Sequence, residues 1–131
     1  MDEQIALARQ SAHTDRKIII MGNMSFSADE SAEFWPVWNE YRAAMAANGD
    51  RMLALVKNFA ENYEKMTDQT ASELLADSFS IKMQDIATKQ QFAQKIDKFM
   101  PTQKVMRIIQ IENKLDAAIQ LQMASEIPLA K

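Results

Sequence analysis

Cysteine is absent from the chain and histidine occurs once, at His13. The missing thiols exclude disulfides, thiolate zinc sites, iron–sulfur clusters and cysteine nucleophiles, and one imidazole cannot furnish the His-rich or Glu-x-x-His ligand sets that hold zinc or paired iron in helical bundles. Glycine, with 2 residues, and proline, with 3, are almost as scarce. A sandwich or barrel needs a turn signal roughly every 8–12 residues, so 131 residues with this little punctuation read as all-helical. Long hydrophobic runs are missing too. The longest aliphatic stretch, Ile18-Ile19-Ile20-Met21, is far short of the ~20 residues of a membrane span or of a signal h-region, so no membrane insertion is expected. Positive charge is not in excess: 15 Lys and Arg stand against 18 Asp and Glu, with no local basic tract, which argues against a nucleic-acid partner.

What is there is the balance of a globular chain, 47% hydrophobic and 25% charged, in one domain spanning residues 1–131. Spacing and capping signals place helices at about 2–21, 28–66, 68–99 and 102–124. The first sets Ile5, Ala8, Ala12 and Ile19 at roughly helical intervals and meets Gly22-Asn23 as a stop. Ser27-Ala28-Asp29-Glu30 has the form of a capping box that opens the second. Stepping by four and three from Phe34 then gives Trp38, Tyr41, Met45, Asn48, Met52, Leu55, Phe59, Asn62 and Met66, a seam whose phase survives Asn48-Gly49-Asp50. Gly49 therefore belongs inside one long helix, and Pro36, beyond its first turn, should kink it near Ala32. Thr67 caps a third helix with Leu74, Leu75, Phe79, Ile86, Ala93, Ile96 and Met100 as its apolar set. Pro101 suits the start of a fourth, marked by Val105, Ile108, Ile111, Leu115, Ala118 and Ile119, and Pro128 ends any helical tail. The expected fold is an elongated antiparallel helical hairpin or four-helix arrangement. Helices this long leave little room for a compact core, so part of the apolar surface is expected to serve a homodimer.

Candidate functional residues are few. Trp35, Trp38 and Tyr41 surround Pro36, and aromatic residues of this kind serve either as core or as contacts with a dimer partner or client. Residues 28–77 carry 10 acidic and 4 basic side chains, residues 78–131 carry 5 and 8. Lys82, Lys89, Lys95, Lys98, Lys104 and Arg107 therefore either complement the acidic second helix or meet an acidic partner. The protein-binding set expected from these considerations is Trp35, Trp38, Tyr41, Lys82 and Lys89. The 10 methionines read as adaptable core or as a pliable binding surface. His13 with Met21 and Met24 is the local candidate for a soft-metal or small-ligand site, but no resident metal or cofactor is expected. Gly-rich phosphate loops, nucleophile elbows and metalloprotease helices are absent, and Glu61 with Glu64 lies on a charged face, so the chain does not read as an enzyme.

The helix starts resemble those of the Spy/CpxP group of bacterial periplasmic proteins, whose hallmark is Leu-Thr-x-x-Gln at helix N-termini. Phe26-Ser27-Ala28-Asp29-Glu30 matches by residue class, Met66-Thr67-Asp68-Gln69-Thr70 keeps the threonine but lacks the final Gln, and Met100-Pro101-Thr102-Gln103-Lys104 departs at two positions. Phe34-Trp35-Pro36 and Gln110-Ile111-Glu112-Asn113-Lys114 further resemble uncharacterised exported bacterial helical proteins, over nearly the whole chain beyond residue 17. The resemblance implies a periplasmic or secreted location, with the leader missing before Met1, or a cytoplasmic one if Met1 is the natural start. It also implies a chaperone-like or stress-response role, the partners being unfolded clients or a membrane sensor. The alternative it leaves open is a periplasmic ligand or metal sensor that regulates a membrane partner.

Overall fold

A computed structural model of the chain describes residues 2–131, with side chains from residue 12 onward. Four α-helices follow one another: α1 (Asp2–Asn23), α2 (Ala28–Asn62), α3 (Asp68–Ile96) and α4 (Thr102–Glu126). No strand occurs among the described residues. Ile5 and Ala8 of the expected α1 face lie outside the described side chains.

Local chemistry accounts for the helix ends. The Ser27 hydroxyl accepts from the Glu30 amide at 3.1 Å while the Glu30 carboxylate accepts from the Ser27 amide at 2.9 Å, which completes the capping box. Thr67 caps α3 in the same sense, accepting from the Thr70 amide. α2 stops at Asn62, short of the expected Met66, because the last residues tighten into a 3-10 turn over Tyr63–Lys65 and Met66 is already extended. α3 stops at Ile96 rather than Phe99, and its exit is pinned by the Thr102 hydroxyl, which donates to Asp97. Pro101 is the residue that caps α4, where its missing N–H costs nothing and its carbonyl accepts from Lys104 and Val105.

α2 runs unbroken through both Pro36 and Gly49. Gly49 has no positive φ, and a Cβ built there meets nothing within 4 Å. Gly49→Ala should therefore stabilise the fold by about 0.5–1 kcal/mol through lost unfolded-state entropy, read as a rise in melting temperature. A fall would mean that the long helix bends at this point.

α2 and α3 form an antiparallel hairpin. Glu40 pairs with Lys95 near one end, Tyr41 stacks on Phe92 at 4.2 Å, and Arg51 donates to Ser80 further along. Leu74, Ile81 and Thr88 of α3 are buried at seven-residue intervals, followed by Phe92 and Ile96, facing the α2 seam through Phe34, Trp38, Tyr41 and Asn48. α4 runs alongside α2 in the same direction, with Lys104 on Glu30 and Glu112 on Trp38, and α1 returns antiparallel to α4. The buried cluster of Ile20, Phe34, Trp38, Tyr41, Phe92, Ile96, Met100, Val105 and Ile108 lies where all four helices meet.

Two expected faces are corrected. In α3 the apolar set divides: Leu74, Ile96 and Met100 are buried, but Leu75, Phe79 and Ile86 are more than half exposed. α3 carries apolar residues on two sides, and only packing against α2 selects between them. In α1, Ala12 and Ile19 face outward and the buried positions are Arg16 and Ile20. A buried arginine hides that face from any search for apolar periodicity.

Candidate functional site

Two features stand out, one closed and one open. The closed one is a charged node inside the four-helix junction. Glu112 of α4 is fully buried, with one carboxylate oxygen accepting from Trp38 Nε1 at 2.9 Å and the other from Arg16 at 2.5 Å and Arg42 at 3.4 Å. Arg16 also donates to Asp116 at 3.0 Å, and Asp116 accepts from Lys89 of α3 at 2.8 Å. The node thus ties α1, α2, α3 and α4 together through charge-assisted bonds. Burial alone would raise the Asp116 pKa, but the bond from Lys89 and the charge of Arg16 outweigh it and hold the carboxyl below its ordinary range.

His13 completes the edge of the node. Its ring lies 4.8 Å from that of Trp38, and burial, aided by the charges of Arg42, Lys17 and Arg16, lowers its pKa against the opposing pull of Glu112. The folded state therefore binds the His13 proton less readily than the unfolded chain does. That contribution to stability is complete above the ordinary value near 6.5 and is lost as pH falls below it. Thermal melts from pH 7.5 to 5 should show a declining melting temperature whose slope is smaller in His13→Gln.

The open feature is on α3. Leu75, Phe79, Met83 and Ile86 recur at spacings that place them on one face, and each is between 57% and 69% exposed. The stripe is ~16 Å long at ~1.5 Å per residue. Four large apolar side chains in a row on water are more than the scattered exposure normal for a protein surface. Toward the end of α4, Ile119 and Leu121 are also exposed, 46% and 74%.

No protein-family model, curated protein or solved structure matches this chain. Among the described residues no helix is long and apolar enough to cross a membrane.

The residues expected to bind proteins are not gathered into one surface. Trp38 is fully buried and Tyr41 is 4% exposed, so both are core in this conformation. Their seam positions face α3 and α4, and burial pushes the Tyr41 phenol pKa up. Trp35 sits at the rim, half-buried, donating to Ser31 with Lys17 Nζ 5.0 Å from its ring. Lys89 is engaged with Asn113 and Asp116 within the fold, and Lys82 is exposed beside the α3 stripe. Of the other cations, Lys95 and Lys104 pair with the acidic α2, and Arg107 donates to the Asn23 carbonyl. The structure does not bring His13 and Met21 together: they lie eight positions apart on the helix, ~12 Å of rise, and Met21 is 57% exposed. Among the described residues, no group of three His, Cys, Asp or Glu side chains is arranged to hold a metal.

Sequence reasoning missed Glu112, Asp116, Arg16 and Arg42. A signal was present: Glu112 continues the four-three spacing of Val105 and Ile108, so a carboxylate occupies a position the seam reserves for apolar groups. A charge in that position needs a buried partner of opposite sign.

Proposed function

We propose that this chain is a non-enzymatic, chaperone-like protein-binding module that works as a homodimer in the periplasm, in the accessory or stress-response role implied by its resemblance to the Spy/CpxP group. The single observation that carries the reading is the exposed Leu75, Phe79, Met83 and Ile86 stripe on a helix whose opposite side is anchored in the core. An apolar face held on a rigid scaffold takes up apolar segments of other chains without having to order itself first. Methionine at its centre suits varied partners, because the thioether side chain repacks easily.

The test is light scattering from an unrelated protein as it unfolds. Equimolar wild type should slow aggregation at low and at physiological salt, and Phe79→Glu combined with Met83→Glu should lose at least half of that effect while keeping its helical circular dichroism. No protection by wild type at either salt would overturn the reading. Sedimentation equilibrium of the same samples tests the dimer.

A further inference from the structure

Beyond the junction the α2–α3 hairpin continues with a poorly filled interior. α2 has no buried residue after Asn48, and the seam residues Met52, Leu55 and Phe59, with Val56 beside them, are only half-covered. Between them and Leu74 and Leu75 of α3 lies an apolar groove of about 390 Å³. Its third wall is the extended C-terminal segment, residues 127–130. That segment is strapped down from outside: Tyr63 donates its hydroxyl to the Leu129 carbonyl at 3.0 Å, and Lys131 pairs with Glu64 at 2.5 Å. The Leu129 side chain is 90% exposed and leaves the groove unfilled.

We propose that this groove is a binding site for a single unbranched alkyl chain, of the kind carried by a free fatty acid. Three observations select that occupant. Among the described residues, the only polar side chain on the walls is that of Ser78, so the side chains offer water a single partner there. Methylenes bring no N–H or C=O group that would need a partner on walls whose side chains offer a single hydroxyl. The size also fits: an open groove of about 390 Å³ has room for one medium-length alkyl chain. The carboxylate would stay in water at the strap, where Lys131 follows Ala130 of the lining. The groove shares Leu75 with the α3 stripe but not Phe79, Met83 or Ile86, and the proposal does not rest on the protein-binding reading.

The experiment is titration of the full chain with dodecanoate below its micelle concentration, followed by calorimetry and by the methyl signals of its methionines. Saturable binding of one molecule per chain is expected, with the methyl signals of Met52 and Met66 moving and those of Met83 and Met106, exposed elsewhere, staying in place. Ala71→Leu with Ser78→Leu, which builds bulk into the groove, should weaken binding at least tenfold. No saturable binding, or saturation that moves Met83 and leaves Met52 and Met66 unchanged, overturns the site; so does a folded double variant that binds as wild type does. Should the double variant fail to fold, the methyl shifts of wild type decide the matter alone. Phosphatidylcholine vesicles or an apolar peptide that move the Met52 and Met66 signals where dodecanoate does not would overturn the single-chain assignment. Loss of aggregation suppression in Phe79→Glu with Met83→Glu, with dodecanoate binding retained, would show the two sites to be independent.

Discussion

Replacing Glu112 with alanine is expected to destabilise the protein by about 3–5 kcal/mol, a large part of the 5–15 kcal/mol that holds a typical domain together. The reason is asymmetry. Arg16, with 6% of its side chain exposed, and the part-buried Arg42 would lose their shared carboxylate, and the buried Trp38 N–H its acceptor. Asp116 still faces Arg16 in the variant, so α1 is loosened rather than expelled. Glu112→Gln separates the components: it keeps an oxygen for Trp38 and removes only the charge, and should cost about half as much if the hydrogen bond and the ion pairs contribute comparably. Chemical denaturation with an unchanged slope measures both. A Glu112→Ala variant as stable as wild type would mean that the node is not closed to water. The same node makes the fold acid-sensitive at a second level. With its pKa held below 3.8, Asp116 contributes stability that is present above that value and disappears as pH falls through the folded value.

Phe92→Ala should cost ~3–5 kcal/mol, whereas Phe79→Ala on the same helix should change stability by no more than ~0.5 kcal/mol. Phe92 is 1% exposed, stacked on Tyr41 and edge-on to Phe34 at 6.1 Å, so its removal leaves a cavity at the four-helix junction. Phe79 is 57% exposed and outside the buried core. The pair discriminates between two ways of docking α3, since rotation of its other apolar face onto α2 would reverse the ranking. Urea midpoints of the two variants suffice as the measurement.

That contrast marks the limit of what can be read along the chain. The capping box at Ser27, the continuity of α2 through Gly49 and the N-cap at Thr67 depend on residues within a few positions of one another, and all three are present in the fold. The α2 seam was legible for a related reason: a four-three apolar spacing sustained over Phe34, Trp38 and Tyr41 admits one buried side. α3 offers two, through Leu74, Ile81 and Phe92 or through Leu75, Phe79 and Ile86, and nothing local chooses between them. As a result, the spacing joins Leu75, Phe79 and Ile86 to Leu74 and Ile96 in one apolar set, and only the packed fold separates them.

The amino-acid sequence by itself determined that this protein is all-helical, where its four helices begin and that α2 is long, because capping, propensity and periodicity act over one to three turns of chain. Tertiary structure alone decided which face of α3 meets water, that Trp38 and Tyr41 are enclosed, and that Arg16 meets Glu112 across 96 intervening steps of sequence. Burying a charge is costly until a partner arrives from another helix, and that partner's position is a property of the packed fold and of no local pattern. The groove at the hairpin's far end has the same origin. Its walls are half-covered seam residues, and its volume exists only because residues 127–130 close over a space that α4 does not fill.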